Sequence, residues 1–214
     1  SRETELATAP VGRLMAKMAI PCITAQIINA LYNIVDRIYI GRMEGVGKTA
    51  LAGLGVSFPL IMVISAFAYL IGQGGAPLAS IKMGAGKKED AEKILSQCFG
   101  VMVGVAIALM AVIYIIKTPL LIAFGASDAT LPYAEDYLSI YLIGTLCVQI
   151  SLGMNFFVTA QGFASVSMRT TVIGAVINII LDPILIFGLL GFPRLEVLGA
   201  AIATVVGQCV AAVA

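Results

Sequence analysis

Residues 170–190, TTVIGAVINIILDPILIFGLL, decide the fold class of this protein. An α-helix needs about 20 predominantly apolar residues to cross the hydrocarbon core of a bilayer, and this stretch supplies them. Asp182 is its single ionisable side chain, and Asn178 stands one helical turn before it. A carboxylate at that depth in hydrocarbon is costly, so it is expected to serve as an ion or proton site. The stretch therefore predicts a membrane-spanning helix with a functional acid.

The composition extends this prediction to the whole chain. Of its 214 residues, 60% are hydrophobic and only 12% are charged, and the mean hydropathy is +1.02. Apolar runs long enough to span a bilayer recur, separated by polar joints too short to hold a soluble domain. Helices are the expected spans, since no segment has the alternating pattern of a membrane barrel strand. We predict an all-α polytopic bundle of six transmembrane helices, near residues 14–40, 51–83, 94–116, 131–160, 170–190 and 197–214.

The two ends of the chain lead to two further expectations. The sixth apolar run is still unbroken at Ala214, which we interpret as a truncated helix. No pattern of a secretory signal peptide follows Ser1, so the first span is expected to act as its own insertion signal.

The distribution of Lys and Arg predicts the orientation in the membrane. One side of the predicted membrane bundle has more Lys and Arg residues than the other, namely Arg2, Arg13, Lys17, Lys82, Lys87, Lys88, Lys93 and Arg169. The other side has Arg42, Lys48, Lys117 and Arg194. Because cytoplasmic loops are enriched in positive charge, we place the N-terminus and the joint at residues 84–93 in the cytoplasm. We expect a multi-pass protein of the cytoplasmic (inner) membrane.

Several functions are disfavoured by what the sequence lacks. The net charge is only +1, so no basic field points to nucleic acid. The chain has no His, which excludes His-based metal sites and catalytic triads, and no phosphate-binding loop supports ATP as the energy source. The cysteines lie in apolar spans without Cys-x-x-Cys spacing, and we expect them to be small packing residues. They are Cys22, Cys98, Cys147 and Cys209.

Polar residues within the first span share one helical face. Gln26, Asn29, Asn33 and Asp36 follow one another at intervals of three, four and three residues, with Tyr32 beside them. At about 100° per residue these positions coincide on one side of a helix. Isolated amides in membrane helices commonly form interhelical hydrogen bonds. Four polar side chains that converge on a carboxylate favour a functional lining instead.

The fifth span repeats this pattern around Asp182. Thr171, Asn178 and Asp182 share a stripe. Pro183 has no N–H, so the carbonyl of Ile179 loses its intrahelical partner and the helix should bend there. A free carbonyl beside a carboxylate and an amide offers hard oxygen ligands, which suit Na⁺ or a bound proton. A plain kink near the helix end is the alternative for Pro183.

The fourth span contains a longer polar stripe. It consists of Tyr137, Tyr141, Gly144, Ser151, Asn155 and Thr159. Tyr137 and Asn155 are five turns apart on the same face of a continuous helix, which predicts a lining through the bilayer. Aromatic faces near carboxylates also suit flat organic cations.

The run Gly72-Gln-Gly-Gly-Ala-Pro77 in the second span weakens a helix. It predicts either a discontinuous helix at a binding site or close packing of helices through small residues. Packing is the favoured interpretation.

Five segments, in order along the chain, resemble a known family, the multidrug and toxic compound extrusion (MATE) transporters. The segments are 31–41 (LYNIVDRIYIG), 49–53 (TALAG), 84–91 (GAGKKEDA), 178–183 (NIILDP) and 199–204 (GAAIAT). The resemblance covers essentially the whole chain. It implies twelve helices in two six-helix lobes, of which this chain would be the N-terminal lobe, residues 1–214.

The resemblance also implies the site residues and the partners. It places a cation site for H⁺ or Na⁺ at Asp36, Asn178, Asp182 and Thr204. It places an adjoining substrate cavity at Tyr32, Asn29, Tyr137 and Asn155, with hinges at Pro21 and Pro183. The implied substrates are small organic cations, the partners are the lipid bilayer and the C-terminal lobe, and no cofactor is implied beyond the coupling ion.

The residues and the resemblance together predict secondary active multidrug efflux by cation antiport, not an enzyme. Two acids facing each other in a poorly solvated cavity repel, and H⁺, Na⁺ or a cationic drug would compete to relieve that charge. One alternative is a lipid-linked oligosaccharide flippase of the same superfamily, but Arg37 is the only nearby cation for an anionic headgroup. An intramembrane enzyme with an aspartate pair lacks the expected Gly-x-Gly-Asp motif. A purely structural subunit would leave two buried acids without a role.

Overall fold

The computed structural model describes residues 9–214, and this part of the chain is helical without any strand. Arg2, which contributed to the predicted orientation, lies outside the described residues. Residues 9–214 form seven α-helices, which are α1 (Val11–Gly41), α2 (Gly47–Gly84), α3 (Lys88–Ala123), α4 (Leu131–Ile143), α5 (Thr145–Ala160), α6 (Ala164–Phe187) and α7 (Val197–Val213). A 3₁₀ turn at Leu189–Gly191 connects α6 to α7.

The helices correspond to the six predicted apolar spans, with one predicted span divided between α4 and α5. Within the described residues, four helices are long and apolar enough to cross a membrane, or five if the bent α4–α5 pair is one span. The shorter apolar helix α7 has 17 residues. The all-helical, polytopic fold class is therefore confirmed.

The fourth predicted span is not one continuous helix, and this part of the prediction was wrong. Gly144 separates α4 from α5, and the two helices meet at an angle of 61°. A Cβ at Gly144 would lie 2.5 Å from a methyl carbon of Val205, so a side chain has no room where the chain turns against α7. The polar stripe from Tyr137 to Thr159 is consequently split into two parts that face different surroundings.

Glycines allow α2 to pack closely against α5. Helix α2 continues through the run that begins at Gly72, which confirms the packing interpretation of that run. A Cβ on Gly72 would lie 2.7 Å from the carbonyl oxygen of Gly153, and one on Gly75 would lie 2.7 Å from the ring of Phe157. The missing side chains let the helix backbones approach, as is common in membrane bundles.

Helices α6 and α7 form an antiparallel hairpin. Gly188 ends α6 in the left-handed conformation (φ 72°) that glycine adopts without strain. The returning backbone then pairs with the end of α6, because the N–H of Leu195 donates to the carbonyl of Leu185 at 2.9 Å. Further along, a Cβ on Gly174 would lie 2.8 Å from the carbonyl oxygen of Gly207. This close crossing fixes α6 against α7 beside the residues of the candidate site.

Two cysteines depart from the predicted packing role. Cys147 on α5 and Cys209 on α7 form a disulfide, with their Cα atoms 4.9 Å apart. They are separated by 62 residues in sequence, so no local spacing signals the pair. Cys22 and Cys98 are free thiols.

Candidate cation and substrate site

Two carboxylates are buried where α1 packs against α6. Asp36 on α1 is 6% exposed, and Asp182 on α6 is fully buried. The two side chains are close enough to interact electrostatically. Burying an uncompensated charge is costly, so two acids in one region require a counter-charge or a proton.

Asn178 connects Asp182 to α7. Its amide nitrogen donates to the Asp182 carboxylate at 3.4 Å and to the Thr204 hydroxyl at 3.3 Å. The amide is better satisfied when rotated by 180°, because its nitrogen then donates to the second Asp182 oxygen at 3.2 Å and its oxygen accepts from the Thr204 backbone N–H at 3.2 Å. In both orientations Asn178 holds the carboxylate of Asp182 and lies against Thr204.

Asp36 has spare hydrogen-bonding capacity. Its Oδ1 atom is buried and has no hydrogen-bond partner among the described residues. Unsatisfied buried acceptors are uncommon in native structures and call for an explanation. Asn178 joins the oxygens of Asp182 and Thr204 through its hydrogen bonds, and oxygen atoms are the ligand type that hard cations prefer. The described residues contain no cluster of three or more His, Cys, Asp or Glu for a heavier metal.

Tyr137 and Tyr141 on α4 lie beside this group of residues. Each is 6% exposed, and their rings stack with centroids 6.3 Å apart. The side chain of Tyr137 lies near those of Asp36 and Thr204. Tyr137 is thus a neighbour of the carboxylates.

A cavity of about 200 Å³ with several polar side chains in its lining adjoins Asn178 and Thr204. Tyr32, Asn178 and Thr204 line it next to the carboxylates, and residues near the start of α1 and α6 line its other end. Its further polar lining consists of Gln26, Asn29, Ser151, Asn155, Thr159, Ser167, Thr171 and Gln208. The cavity therefore extends from the two acids toward the end of the bundle where α1 begins.

The structure brings most of the predicted site residues together. Tyr32, Asn29 and Asn155 line the cavity, whereas Tyr137 does not. Asn33, on the predicted polar face of α1, instead donates to the backbone carbonyl of Asn29 at 2.8 Å. Pro21 immediately precedes the cavity-lining Cys22, within an unbroken α1.

Pro183 likewise lies inside a helix that continues beyond it. Helix α6 runs on to Phe187 and ends only before Gly188. Pro183 therefore does not end the helix that carries Asn178 and Asp182. Whether Pro21 and Pro183 act as hinges remains a prediction.

Gln208, Ser167 and Tyr69 are lining residues that the sequence analysis did not identify. For Gln208 a signal existed, because it follows Thr204 by one helical turn and therefore shares its face. Ser167 gave the same signal, because it precedes Thr171 by one helical turn on α6. Tyr69 gave no such signal, since it lies in a long apolar helix whose orientation is set by tertiary packing.

The charge of the site is concentrated at one end. Among the described residues, no Asp, Glu, Lys or Arg lines the cavity, and Asp36 and Asp182 are the buried acids near it. The Arg37 guanidinium packs over the ring of Phe58, with its carbon 5.3 Å from the centroid. This arrangement does not favour an anionic headgroup in the cavity, as the flippase alternative requires.

Apolar helices surrounding a polar cavity with buried acids are the architecture of a membrane transport protein. The sequence profile of the MatE family matches residues 21–184. The chain therefore belongs to this family, and it is a multi-pass membrane protein.

Curated relatives and a solved structure agree with this assignment. The chain is 32% identical to the FAD transporter of Shewanella oneidensis, over 96% of this chain and 45% of the relative. It is 29% identical to the multidrug export protein MepA of Staphylococcus haemolyticus, over 94% of this chain and 43% of the relative. A solved MOP superfamily transporter from Pyrococcus furiosus, described as having a binding pocket of reverse polarity, superposes with a TM-score of 0.89 at 26% identity, covering 100% of this chain and 46% of that one. The chain thus spans about half the length of the relatives it matches.

Proposed function

We propose that this chain forms the N-terminal lobe of a secondary active efflux transporter, which exports organic cations across the cytoplasmic membrane in exchange for H⁺ or Na⁺. One observation carries the proposal. Asp36 and Asp182 are both buried and interact electrostatically, and Asn178 extends from Asp182 to the wall of the cavity. The multidrug export protein among the relatives supports export as the direction of transport and drugs as substrates.

Competition for negative charge is the simplest mechanism for this geometry. An organic cation in the cavity is stabilised by the two carboxylates, whereas H⁺ or Na⁺ binding removes the field that attracts it. Binding of the ion therefore lowers the affinity for the organic cation, and binding of the organic cation lowers the affinity for the ion by the same factor. The ion moves inward and the drug outward, and no step of chemistry is required of the chain.

The proposal includes a second lobe and an orientation. The relatives are about twice as long as this chain, so a further six-helix half would complete alternating access. The N-terminus and the lysine-rich joint between α2 and α3 are placed in the cytoplasm by the positive-inside rule.

The test uses the full-length transporter in everted membrane vesicles with an imposed pH gradient. Ethidium is added with and without Na⁺, and wild type is compared with Asp36→Asn and Asp182→Asn. We expect drug-dependent collapse of the ion gradient in wild type and its loss in both variants. Asp128→Asn is the matched control, because it makes the same change at an exposed position between α3 and α4. Coupled efflux by a well-inserted Asp36→Asn protein would refute the assignment.

A second candidate is transport of FAD, since the relative with that activity is 32% identical over nearly the whole chain. The uncharged cavity wall is compatible with its heterocyclic ring. Uptake of FAD by proteoliposomes, compared with ethidium in the same preparation, separates the two candidates.

A further inference from the structure

The disulfide between Cys147 and Cys209 joins two walls of the cavity. Cys147 lies on α5, one helical turn before the lining residue Ser151, and Cys209 lies on α7, directly after the lining residue Gln208. We propose that this disulfide is a redox-sensitive clamp, which restrains the two walls when it is formed and lets them separate when it is reduced. The inference rests on the proposed function, because it assigns a regulatory device to the transport cavity.

The clamp connects two groups of helices, each of which is held together by close contacts. In one group, α6 crosses α7 so closely that a Cβ on Gly174 would lie 2.8 Å from the carbonyl oxygen of Gly207, and α1 packs against α6. In the other group, the Gln149 side chain of α5 donates to the backbone carbonyl of Ile64 on α2 at 2.7 Å. The two buried acids therefore belong to one group, and the α5 wall of the cavity belongs to the other.

The disulfide restrains these groups more strictly than a hydrogen bond does. The Thr170 hydroxyl of α6 also reaches across, donating to the side-chain oxygen of Asn155 on α5 at 3.2 Å, but such a bond contributes only about 1 kcal/mol and can re-form after a movement. The Cα atoms of Cys147 and Cys209 are 4.9 Å apart. Because a disulfide holds its Cα atoms within roughly 4.4–6.8 Å, α5 and α7 can separate by only about 2 Å at this level while the bond is intact.

The size of the cavity makes this restraint consequential. Its volume of about 200 Å³ lies below the range of roughly 300–1,000 Å³ that is usual for drug-sized ligands. Passage of a larger organic cation therefore requires the walls to move apart. Since α5 and α7 are two of these walls, the disulfide limits that movement.

The position of the disulfide determines which redox partners reach it. At 1.5 Å per residue, Cys209 lies about 18 Å along α7 from Val197, which is near the middle of a hydrocarbon core about 30 Å thick. Both cysteines are half-buried, and the neighbouring apolar side chains of Leu146 and Val206 are exposed. The disulfide thus reaches an apolar surface of this lobe at membrane depth, where a lipid-soluble redox partner has access.

A quinone has the chemistry that this position requires, because it is a lipid-soluble acceptor of two electrons. Oxidation breaks the S–H bonds of Cys147 and Cys209 and forms the S–S bond between them. The two electrons and two protons pass to the quinone, which becomes a quinol. A dithiol reverses the step by thiol–disulfide exchange, in which it forms its own disulfide and returns both protein thiols.

The test uses the purified full-length transporter in proteoliposomes with an imposed pH gradient. Dithiothreitol prepares the reduced state and decylubiquinone the oxidised state, and mass spectrometry after alkylation measures how much of Cys147 and Cys209 is free thiol. We expect ethidium-dependent ion flux to be several-fold faster in the reduced state, and amide hydrogen exchange in α7 to be faster as well. Addition of the quinone to the reduced protein should restore the disulfide and the slower flux.

Serine variants separate the clamp from other effects of the reagents. The double variant Cys147→Ser, Cys209→Ser should keep the fast flux and respond to neither reagent. Cys98→Ser is the matched control, because Cys98 is a free thiol on α3 outside the cavity lining, and this variant should retain the full redox response. If a serine variant does not fold, the comparison of the two redox states of wild type still decides the question.

Two results would overturn the inference. One is flux that is unchanged or lower after complete reduction, as expected of a purely structural disulfide, and the other is a reduced pair that the quinone does not reoxidise. Absence of ethidium-dependent flux in both redox states and in the double variant refutes the proposed function instead. The hydrogen exchange of α7 then decides by itself whether the disulfide restrains this wall.

Discussion

Asn178 donates its side-chain amide to the carboxylate of Asp182, one turn further along α6, and at the same time lines the cavity that adjoins this acid. The same amide lies against Thr204 on α7. Asn178 thus contacts the buried acid, the cavity and the neighbouring helix. Removal of the Asn178 amide would leave buried polar atoms of Asp182 and Thr204 without hydrogen-bond partners. The free-energy cost of that change is therefore expected to exceed the cost of losing a single surface hydrogen bond.

Replacement of Asn178 by Leu tests this relationship. The change keeps the volume similar but removes the donor to Asp182 and an oxygen ligand of the candidate ion site, so coupled ion flux should fall by about tenfold or more. The measurement is ethidium-dependent collapse of a pH gradient by the full-length protein. Gln97→Leu is the control, because it replaces a side-chain amide by leucine at an exposed position of α3 outside the cavity lining. Undiminished coupling in Asn178→Leu would show that this bridge has no role in transport.

The close crossing of α6 and α7 gives a second prediction. A Cβ on Gly207 would lie 2.7 Å from the carbonyl oxygen of Gly174 and 3.4 Å from the Cβ of Asn178. Because the nearest atom is backbone, Gly207→Ala must separate the helices, at a cost of about 1–3 kcal/mol. The thermal unfolding midpoint of the purified protein should therefore decrease.

Gly104→Ala is the control for that measurement. No atom lies within 4 Å of a Cβ built on Gly104, and alanine has the higher helix propensity. Its unfolding midpoint should stay constant or rise. Equal midpoints for the two alanine variants would show that the crossing tolerates a methyl group.

The two buried acids could be identified from the sequence, whereas the shape of the cavity could not. Asp36 and Asp182 were recognisable because an acid in an apolar span is costly wherever the helix packs. Gly144 was misjudged, since a glycine inside an apolar run does not reveal that Val205 of a distant helix occupies the space of its side chain. For the same reason the sequence did not indicate that Cys147 and Cys209 are paired, or that Tyr69 shares a cavity with Asn29. Contacts between helices distant in sequence decide these features.

The disulfide between Cys147 and Cys209 leaves two of the four cysteines of this chain as free thiols. Alkylation of the denatured, unreduced protein should modify Cys22 and Cys98, while Cys147 and Cys209 react only after reduction. Mass spectrometry of the peptides that contain these residues measures the outcome. A Cys209→Ser variant is the control, since it should make Cys147 reactive without reduction. Modification of Cys147 in the unreduced wild-type protein would contradict the pairing.

Cys22 offers a direct test of where the cavity opens. It is a free thiol that lines the cavity near the start of α1, the end that the proposed orientation places at the cytoplasm. A charged, membrane-impermeant thiol reagent should therefore label a Cys98→Ala protein in everted vesicles and leave it unlabelled in right-side-out vesicles. A ligand that occupies the cavity should slow the labelling, because the cavity volume of about 200 Å³ does not hold both molecules. Cys22→Ser in the same background is the control for reaction at other sites.

Labelling from the outer face alone would reverse the assigned orientation. If saturating ligand does not slow the labelling of Cys22, the ligand does not bind in the cavity that Cys22 lines.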